Sequence, residues 1–200
     1  MGNAVLYMSM SVDGFIAGPD DGPGNELGDG GHCLHEWFLA GADAGRPEAR
    51  EHLAGASRAV MDEAMSTGAV VVGRRTFELA GGWGGDHHDG VPIVVLSRRQ
   101  PDPAMRWPAV IYVPDVAEAV HAAKEAAGDK DVLVHGARTA QLALAAGVLD
   151  ELEIHLVPVL LGQGRRLFDD MPPDLVELEL LRDGDGPGVQ HLRYRVRAEG

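Results

Sequence analysis

Three segments of the chain place an arginine and a hydroxyl side chain where an apolar, strand-like run ends. They are Gly73-Arg74-Arg75-Thr76, Ser97-Arg98-Arg99 and Gly136-Ala137-Arg138-Thr139. Glycine lets the backbone approach a ligand closely, and the free N–H groups at the start of a following helix attract phosphate. Arginine binds phosphate oxygens through two parallel hydrogen bonds. Each segment alone is also compatible with an ordinary turn, but the three together predict a dinucleotide site.

The type of dinucleotide follows from the same arginines. An arginine near the ribose recognises the 2′-phosphate that distinguishes NADP from NAD, so the segments predict NADP. The chain lacks the Gly-x-Gly-x-x-Gly pattern of a standard Rossmann site, and no acidic residue about 20 positions further on fits a ribose partner. Gly162-Gln163-Gly164 resembles half of that pattern, but no helical pattern follows it, and we interpret it as a turn.

The elements that must position these segments follow from hydrophobic periodicity. Six short apolar runs predict buried strands at residues 4–10, 69–73, 92–97, 110–113, 132–135 and 152–161. A seventh run, 190–196, alternates apolar and polar residues and predicts a half-exposed antiparallel edge strand. Helical patterns occupy 35–41, 47–66, 115–127 and 139–146, and Asp115 with Glu118 forms a capping box at the start of the third. Because strands and helices alternate, we expect a mainly parallel sheet and a single domain over residues 1–200.

Composition limits the classes of function. The chain has 200 residues, of which 45% are hydrophobic and 24% are charged, as in a folded domain. Its 31 acidic residues outnumber its 17 lysines and arginines, which argues against a nucleic-acid partner. No apolar run reaches the length of about 18 residues that would predict a membrane span. The first residues also lack the pattern of a signal peptide, so we expect a cytoplasmic protein.

Two histidine-containing segments raise the question of a metal. Asp86-His87-His88-Asp89 lies in a glycine-rich loop at 81–90, fits no ligand spacing, and is interpreted as exposed and polar. His32-Cys33-Leu34-His35 is interpreted as the end of another loop, 18–31, where the chain enters a helix. Cys33 is the single cysteine, which excludes an internal disulfide and a multi-thiolate zinc site. We therefore expect no metal.

Longer segments resemble a known family. The stretch from Ser9 to Gly18, which reads Ser-Met-Ser-Val-Asp-Gly-Phe-Ile-Ala-Gly, resembles the opening of the reductase domain of the riboflavin-biosynthesis deaminase/reductase. Residues 72–78 are similar to the second strand signature of that family, and residues 146–152 with 158–168 match it most strongly. The resemblance covers nearly the whole chain in the same order and is closest to the stand-alone bacterial members of this dihydrofolate-reductase-like superfamily. The zinc-binding deaminase half has no counterpart here, so deamination is not implied.

The resemblance implies a three-layer α/β fold of the dihydrofolate-reductase type, with a central, mostly parallel sheet, antiparallel C-terminal strands and flanking helices. It implies NADPH lying across the strand ends, with a small-molecule substrate next to it and Ala17 beside the nicotinamide ring. The implied cofactor-binding residues are Ala17, Gly73, Arg74, Thr76, Ser97, Arg98, Gly136, Arg138 and Thr139. Members of the family often pair, so the resemblance also implies a homodimer.

Our hypothesis from the sequence is hydride transfer from NADPH to a small heterocycle that is pterin-like or pyrimidine-like. Asp13, whose loop would border the nicotinamide and the substrate, is the first candidate for a polar group at the substrate. Glu36 is the second, as a proton donor that burial would keep protonated, although the helix register also allows Leu34 or His35 at that position. Two alternatives stay open: the 5-amino-6-(5-phosphoribosylamino)uracil reductase of riboflavin biosynthesis, and a non-catalytic NADP-binding sensor.

Overall fold

The sheet and its helices are seen in a computed structural model that describes residues 1–39, 52–99, 102–169, 171 and 175–197. The strands in this part of the chain are β1 (Ala4–Ser11), β2 (Phe15–Ala17), β3 (Ala69–Gly73), β4 (Ile93–Leu96), β5 (Val110–Val113), β6 (Val132–His135), β7 (Glu151–Val157), β8 (Arg165–Arg166), β9 (Leu178–Gly186) and β10 (Val189–Val196). The α-helices are α1 (Glu36–Leu39), α2 (Gly55–Ala64), α3 (Arg74–Leu79), α4 (Val116–Ala127) and α5 (Ala137–Ala145). Short 3₁₀ turns lie at Gly31–His35, Gly81–Gly85 and Pro103–Met105.

Most of the strands form one sheet, in the order β5-β4-β3-β6-β1-β7-β10-β9. Neighbours from β5 to β7 in this order are parallel, and β10 is antiparallel to both β7 and β9. Parallel strands that are covered on both faces consist of nearly continuous apolar runs, as in the fully buried Val70-Val71-Val72 of β3. The predicted α/β class, mainly parallel sheet and antiparallel C-terminal strands are confirmed.

Helices cover both faces of the sheet and produce three layers. Successive strand residues point to opposite faces, so Val71 packs in one cluster with Ala123 of α4 and Ala140 of α5. Val70 packs on the other face with Phe77 of α3, and α2 contributes to the same cluster. The hydrophobic core therefore lies on both sides of the sheet, and in such a fold the loops beyond the carboxyl ends of the parallel strands form the ligand site.

The C-terminal strands differ from the prediction. The strand expected at the edge of the sheet is β10, which lies between β7 and β9. The edge strand is β9, which was not predicted because its mostly exposed side chains do not alternate and Asp183-Gly184-Asp185-Gly186 has the composition of a turn. β7 ends at Val157 rather than at 161, since Pro158 has no N–H group with which to continue the ladder.

The structure has a helix within or overlapping each of the four predicted ranges, with different ends, and adds the short helix α3. Helix α4 is confirmed with its cap, since Asp115 Oδ1 accepts hydrogen bonds from the N–H groups of Ala117 at 2.9 Å and Glu118 at 3.0 Å. Helix α2 begins at Gly55, and the predicted residues 47–51 lie outside the described residues. The helix predicted at 35–41 begins in a 3₁₀ turn that is followed by α1. Residues 40 and 41 also lie outside the described residues. None of the described helices is long and apolar enough to cross a membrane.

Candidate active site

A cleft of about 1120 Å³ lies at the carboxyl ends of β3, β4 and β6. These strands are adjacent and parallel, so the residues that follow them meet at one edge of the sheet. All the residues implied to bind the cofactor line this cleft, namely Ala17, Gly73, Arg74, Thr76, Ser97, Arg98, Gly136, Arg138 and Thr139. The structure thus brings the three arginine segments into one cavity.

Two of the turns that line the cleft are packed against each other. A Cβ on Gly73 would lie 2.8 Å from Thr139 Oγ1, in the turn that follows β6. In the opposite direction, a Cβ on Gly136 would lie 2.7 Å from Thr76 Oγ1. Gly136 also has a φ of +93°, a conformation that residues with a side chain rarely adopt. Glycine at both positions therefore allows the two turns to pack closely together at the cleft.

Thr139 places an unsatisfied hydroxyl at the start of α5. The residue is 1% exposed, and among the described residues its Oγ1 has no hydrogen-bond partner. A buried polar group without a partner costs about 1–3 kcal/mol. The first N–H groups of this nine-residue helix also have no partner within the helix. A hydroxyl and free N–H groups at one helix start fit the oxygens of a bound phosphate.

Two arginines that line the cleft are positioned by residues of their own helices. Arg74 Nε lies 2.5 Å from Glu78 Oε1 in α3. Arg138 Nη1 lies 3.5 Å from Gln141 Oε1 in α5. Both contacts span about one helical turn, and contacts this accessible to water contribute little to stability. Their effect is to orient the two guanidinium groups.

Arg98 differs from these two arginines. Its side chain is exposed, and no ion pair or hydrogen bond to it is found within the described ranges. The turn that carries it is fixed by Ser97, whose Oγ accepts a hydrogen bond from Arg99 N at 3.1 Å and donates one to Arg99 O at 3.0 Å. Arg98 is therefore a cation available to an anionic ligand at the cleft.

Asp21 joins the loop at 18–31 to two arginines of the cleft, a contact that the sequence did not predict. Its largely buried carboxylate accepts hydrogen bonds from Arg75 Nε at 3.0 Å and from Arg165 Nη2 at 2.9 Å. Burial opposes ionisation of Asp21, but the hydrogen bonds from Arg165 and Arg75 lower its pKa below the ordinary value. The three residues are distant in sequence, so no local pattern could have shown the contact.

A set of aromatic and imidazole rings, which we call the ring wall, lines the same cleft. Its members are Tyr7, His35, Trp37, Phe38, Trp83, His87, His135 and His155. Several of these rings touch. The ring centroids are 4.6 Å apart for Trp83 and His87, and 4.8 Å apart for Trp37 and His155. Aromatic faces and edges favour stacking against another planar ring, so this wall suits a planar ligand.

Burial keeps three histidines of the ring wall neutral near pH 7. It lowers the pKa of His35 to about 4 and the pKa of His135 to about 4. Burial, with a smaller effect of neighbouring His191, also holds the pKa of His155 well below its ordinary value. These side chains therefore line the cleft without adding positive charge to it.

The segment Asp86-His87-His88-Asp89 is only partly the exposed polar loop that the sequence predicted, since Asp86 and Asp89 are exposed but the two histidines are not. His88 is buried, and its Nε2 lies 3.2 Å from Thr67 Oγ1 and 3.1 Å from Thr67 O. His87 belongs to the ring wall, with its Nε2 3.2 Å from His135 Nε2. The partners come from distant parts of the chain, so composition alone suggested a solvated loop. In the described part of the chain, no group of three or more His, Cys, Asp or Glu side chains could hold a metal ion.

Asp13 does not line the cleft, which corrects its predicted position. Its Oδ1 accepts hydrogen bonds from Ser11 Oγ at 2.6 Å and Leu161 N at 3.1 Å, and its Oδ2 accepts one from Gly162 N at 2.7 Å. The hydrogen bond from Ser11, with smaller effects of the two backbone N–H groups, outweighs desolvation and lowers the pKa of Asp13 to about 2. Asp13 thus fastens the turn after β1 to the loop after β7.

Glu36 also lies away from the cleft. It is exposed and lines a second pocket of about 550 Å³, so the burial on which its predicted role depended is absent. The helix register instead directs His35, one of the two alternatives, towards the cleft together with Phe38. Trp37 borders both cavities. The second pocket also includes Ser57 in its wall.

Comparisons with known proteins agree with this architecture. The family model of the RibD C-terminal domain matches residues 4–185, whereas no curated protein matches the sequence. A structure described as a riboflavin biosynthesis protein, from Shewanella sp. PV-4, is 20% identical with a TM-score of 0.69, and the match covers 99% of this chain and 100% of that one.

Two further solved structures show the same fold at lower identity. The pyrimidine reductase-like protein from Corynebacterium diphtheriae is 15% identical with a TM-score of 0.61, over 99% of this chain and 93% of that one. The diaminohydroxyphosphoribosylaminopyrimidine deaminase/5-amino-6-(5-phosphoribosylamino)uracil reductase from Thermotoga maritima is 12% identical with a TM-score of 0.61, over 98% of this chain and 57% of that one. Because the family model spans most of the sequence and the fold agrees throughout, this chain belongs to the RibD C-terminal domain family.

Proposed function

We propose that the chain is an NADPH-dependent oxidoreductase that transfers hydride to a small heterocycle, either pterin-like or pyrimidine-like. The observation that carries this proposal is that the residues implied to bind NADPH line one cleft together with the ring wall. Membership of the RibD C-terminal domain family supports the reductase class. A single ligand typically fills about 300–1,000 Å³, so a cleft of about 1120 Å³ has room for a cofactor and a small substrate.

The three arginine segments fit NADPH. Gly73 and Gly136 allow the two turns to pack together at the cleft, and Thr139 Oγ1 would gain from a phosphate the partner that it lacks. Arg98 would meet the 2′-phosphate, and Ala17 would lie beside the nicotinamide ring. When bound, NADPH supplies the hydride, and the protein supplies orientation and electrostatics.

The ring wall would hold the substrate. Its flat faces favour a planar heterocycle, and the neutral imidazoles of His35 and His155 can donate to ring nitrogens and carbonyl oxygens or accept from ring N–H groups. A ring stacked on such a surface would be desolvated and oriented for hydride transfer, which lowers the entropic part of the barrier.

One alternative within the enzymes is the 5-amino-6-(5-phosphoribosylamino)uracil reductase step, which is named in the description of the Thermotoga maritima structure. That substrate carries a phosphate in addition to those of the cofactor. Arg75 and Arg165 also line the cleft, but both are bound to Asp21. A non-catalytic sensor would keep the cofactor cleft and show no turnover.

Oxidation of NADPH, followed by the loss of its absorbance with a panel of pterins, pyrimidines and quinones, tests the proposal. Turnover of a pterin or pyrimidine without a phosphate is the expected result. Turnover restricted to the phosphoribosylaminouracil would establish the riboflavin-pathway alternative instead. Tight NADPH binding with no turnover would favour the sensor, and the absence of binding would refute all three.

A second copy of the chain is also part of the proposal. The edge strand β9 exposes Leu178, Leu180 and Leu181 to solvent. An exposed apolar edge strand is a template for pairing with another strand. Two copies related by a twofold axis would cover the same patch on each other, as in most homodimers.

A further inference from the structure

A chain of three hydrogen-bonded side chains crosses the protein behind the ring wall. Ser57 Oγ lies 3.0 Å from His191 Nε2, and His191 Nδ1 lies 3.0 Å from His155 Nδ1. The three residues are 1%, 2% and 6% exposed, respectively. Ser57 is in the first turn of α2, and the two histidines are directly opposite each other in the antiparallel pair of β7 and β10. The fold therefore fixes every contact in the chain.

The two ends of this chain lie at different cavities. His155 lines the cleft, and its Nε2 has no hydrogen-bond partner among the described residues. Ser57 lines the second pocket of about 550 Å³. Trp37 separates the two cavities and packs on both imidazoles, with ring centroids 4.8 Å from His155 and 4.9 Å from His191. The chain is thus a polar connection through an otherwise apolar partition.

The backbone around Ser57 is shaped to keep this connection. A Cβ on Gly186 would lie 2.1 Å from Ser57 Oγ and 3.2 Å from His191 Nε2. Trp37 is held in place by the hydrogen bond that its Nε1 donates to Ser9 Oγ at 3.0 Å. Glycine at 186 therefore leaves the space in which the serine and the imidazole meet.

Two acids and one phenol at the cleft are unsuited to proton donation. Asp21 has a pKa below the ordinary value, because the effect of burial is outweighed by its two arginines. Glu26 also has a lowered pKa, because backbone N–H groups donate hydrogen bonds to its carboxylate. Both are therefore ionised near pH 7. Tyr7 Oη accepts a hydrogen bond from Arg193 at 3.1 Å, and burial raises its pKa far above the ordinary value.

A second histidine chain also starts at the cleft but ends inside the protein. It runs from His135 through His87 and His88 to Thr67, which is buried and lines neither cavity. Such a chain has no source of new protons at its far end. Only the chain through His191 joins the cleft to a second cavity in the described part of the protein.

We propose that His155 is the proton donor of the cleft and that His191 and Ser57 resupply its proton from the second pocket. This inference rests on the proposed function, because only a hydride acceptor needs the proton. The substrate's C=N bond would be reduced by two electrons, with hydride from NADPH added at carbon and a proton from His155 Nε2 added at nitrogen. His155 is thus the catalytic residue, and the other two are positioning and relay residues.

The transfer leaves every group neutral. As Nε2 of His155 gives up its proton, Nδ1 receives one from Nδ1 of His191, and Nε2 of His191 receives one from the hydroxyl of Ser57. A water molecule in the second pocket then returns a proton to Ser57, and the hydroxide that remains takes up a proton from bulk solvent. Before the next turnover both imidazoles must return to their starting tautomers, which puts a proton back on Nε2 of His155. Burial, with a smaller effect of Arg182, lowers the pKa of His191 to about 4 and so favours neutral imidazoles in this chain. A neutral imidazole N–H is an established donor in enzyme sites.

The test uses 6,7-dimethyl-7,8-dihydropterin as the acceptor, since its C=N bond takes up one proton for each hydride. We expect His155→Asn to lower kcat by about 10²-fold or more, and Ser57→Ala to lower it by a smaller factor. The plot of wild-type rate against the D₂O fraction should be curved because several protons move. In Ser57→Ala the plot should become linear. The dissociation constant of NADPH should be unchanged in both variants.

Thr67→Val is the matched control, because it removes the other buried hydroxyl that contacts a histidine Nε2. It should leave kcat and the curvature of the D₂O plot as in the wild type. Equal loss of kcat in Thr67→Val and Ser57→Ala, with no change of curvature, would show a merely structural role and overturn the relay.

Absence of NADPH binding to the wild type would refute both the proton donor and the proposed reductase. Reduction of the dihydropterin with unaltered kcat in His155→Asn would refute the donor and leave the reductase standing. NADPH binding without reduction of the dihydropterin would overturn the donor and leave the cofactor site standing.

Discussion

Asp13 fixes the turn after β1 through a carboxylate that accepts three hydrogen bonds. These bonds lower its pKa from 3.8 to about 2. A group whose folded pKa is lowered contributes stability that is complete above the unfolded pKa and lost as the pH falls through the folded pKa. We expect Asp13→Asn to melt at a lower temperature than the wild type at neutral pH. The difference should shrink between about pH 4 and about pH 2.

Melting curves followed by circular dichroism over this pH range measure the effect. Asp129→Asn, in an exposed ion pair with the N-terminus, is the control and should melt like the wild type throughout. A difference in melting temperature between Asp13→Asn and the wild type that stays constant down to about pH 2 would contradict the lowered pKa of Asp13. Unchanged NADPH affinity in Asp13→Asn is expected because the residue does not line the cleft.

Arg98 is expected to set the preference for NADPH over NADH. A hydrogen bond to a charged group contributes about 1.5–3 kcal/mol, so Arg98→Ala should weaken NADPH binding by that amount and leave NADH binding nearly unchanged. Calorimetric titration of both cofactors gives the two affinities. Arg99→Ala is the matched control, since Arg99 is an exposed neighbour that does not line the cleft. Equal losses in the two variants would assign the effect to net charge.

The turn between β6 and α5 depends on glycine for two reasons, and a substitution separates them. Gly136→Ala would strain a φ of +93° and place a methyl group 2.7 Å from Thr76 Oγ1. Gly147→Ala, just after the other end of α5, strains a φ of +65° but meets open space. We expect Gly147→Ala to cost about 1 kcal/mol in the free energy of unfolding without affecting NADPH.

Gly136→Ala should cost more, about 1–3 kcal/mol, and should also weaken NADPH binding because the displaced turn lines the cleft. Urea denaturation and NADPH titration on the same preparations measure the two quantities. If both variants retain NADPH affinity, this turn is not part of the cofactor site.

The parallel strands and the cleft were predictable because they depend on local patterns. Fully buried strands consist of short apolar runs, as at Val70-Val71-Val72, and each run ends in turn residues. Parallel neighbours bring their carboxyl ends together, so three separate arginine segments could be assigned to one site. The exact neighbours of each arginine were not predictable, since Asp21 reaches Arg75 and Arg165 from distant loops.

Other features were missed because their causes are not local. β9 carries exposed side chains and an Asp-Gly repeat, so its strand state comes from pairing with β10 rather than from its own pattern. His88 is buried, and the partner of its Nε2 is Thr67, which lies 21 residues away in the sequence. Asp13 precedes a glycine and is correctly placed in a turn, but the direction of its side chain is set by backbone N–H groups at Leu161 and Gly162.

The two edges of the sheet offer a comparison for the proposed homodimer. Leu180 is exposed on β9 at one edge, and Ile111 is exposed on β5 at the other. A charge at the centre of an apolar twofold interface would meet its own copy and repel it. We therefore expect Leu180→Lys to be monomeric and Ile111→Lys to remain dimeric in sedimentation velocity. A monomeric wild type would refute the dimer, and loss of the dimer only in Ile111→Lys would move the interface to β5.

The central claim is that the cleft over β3, β4 and β6 binds NADPH. Calorimetric titration of the wild-type protein with NADPH, and separately with NADH, tests it most directly. We predict saturable binding of one NADPH per chain, with clearly weaker binding of NADH because only NADPH carries the phosphate that Arg98 would meet. Absence of NADPH binding would contradict the cofactor site itself, and equal affinities for the two cofactors would contradict the role of the arginine segments.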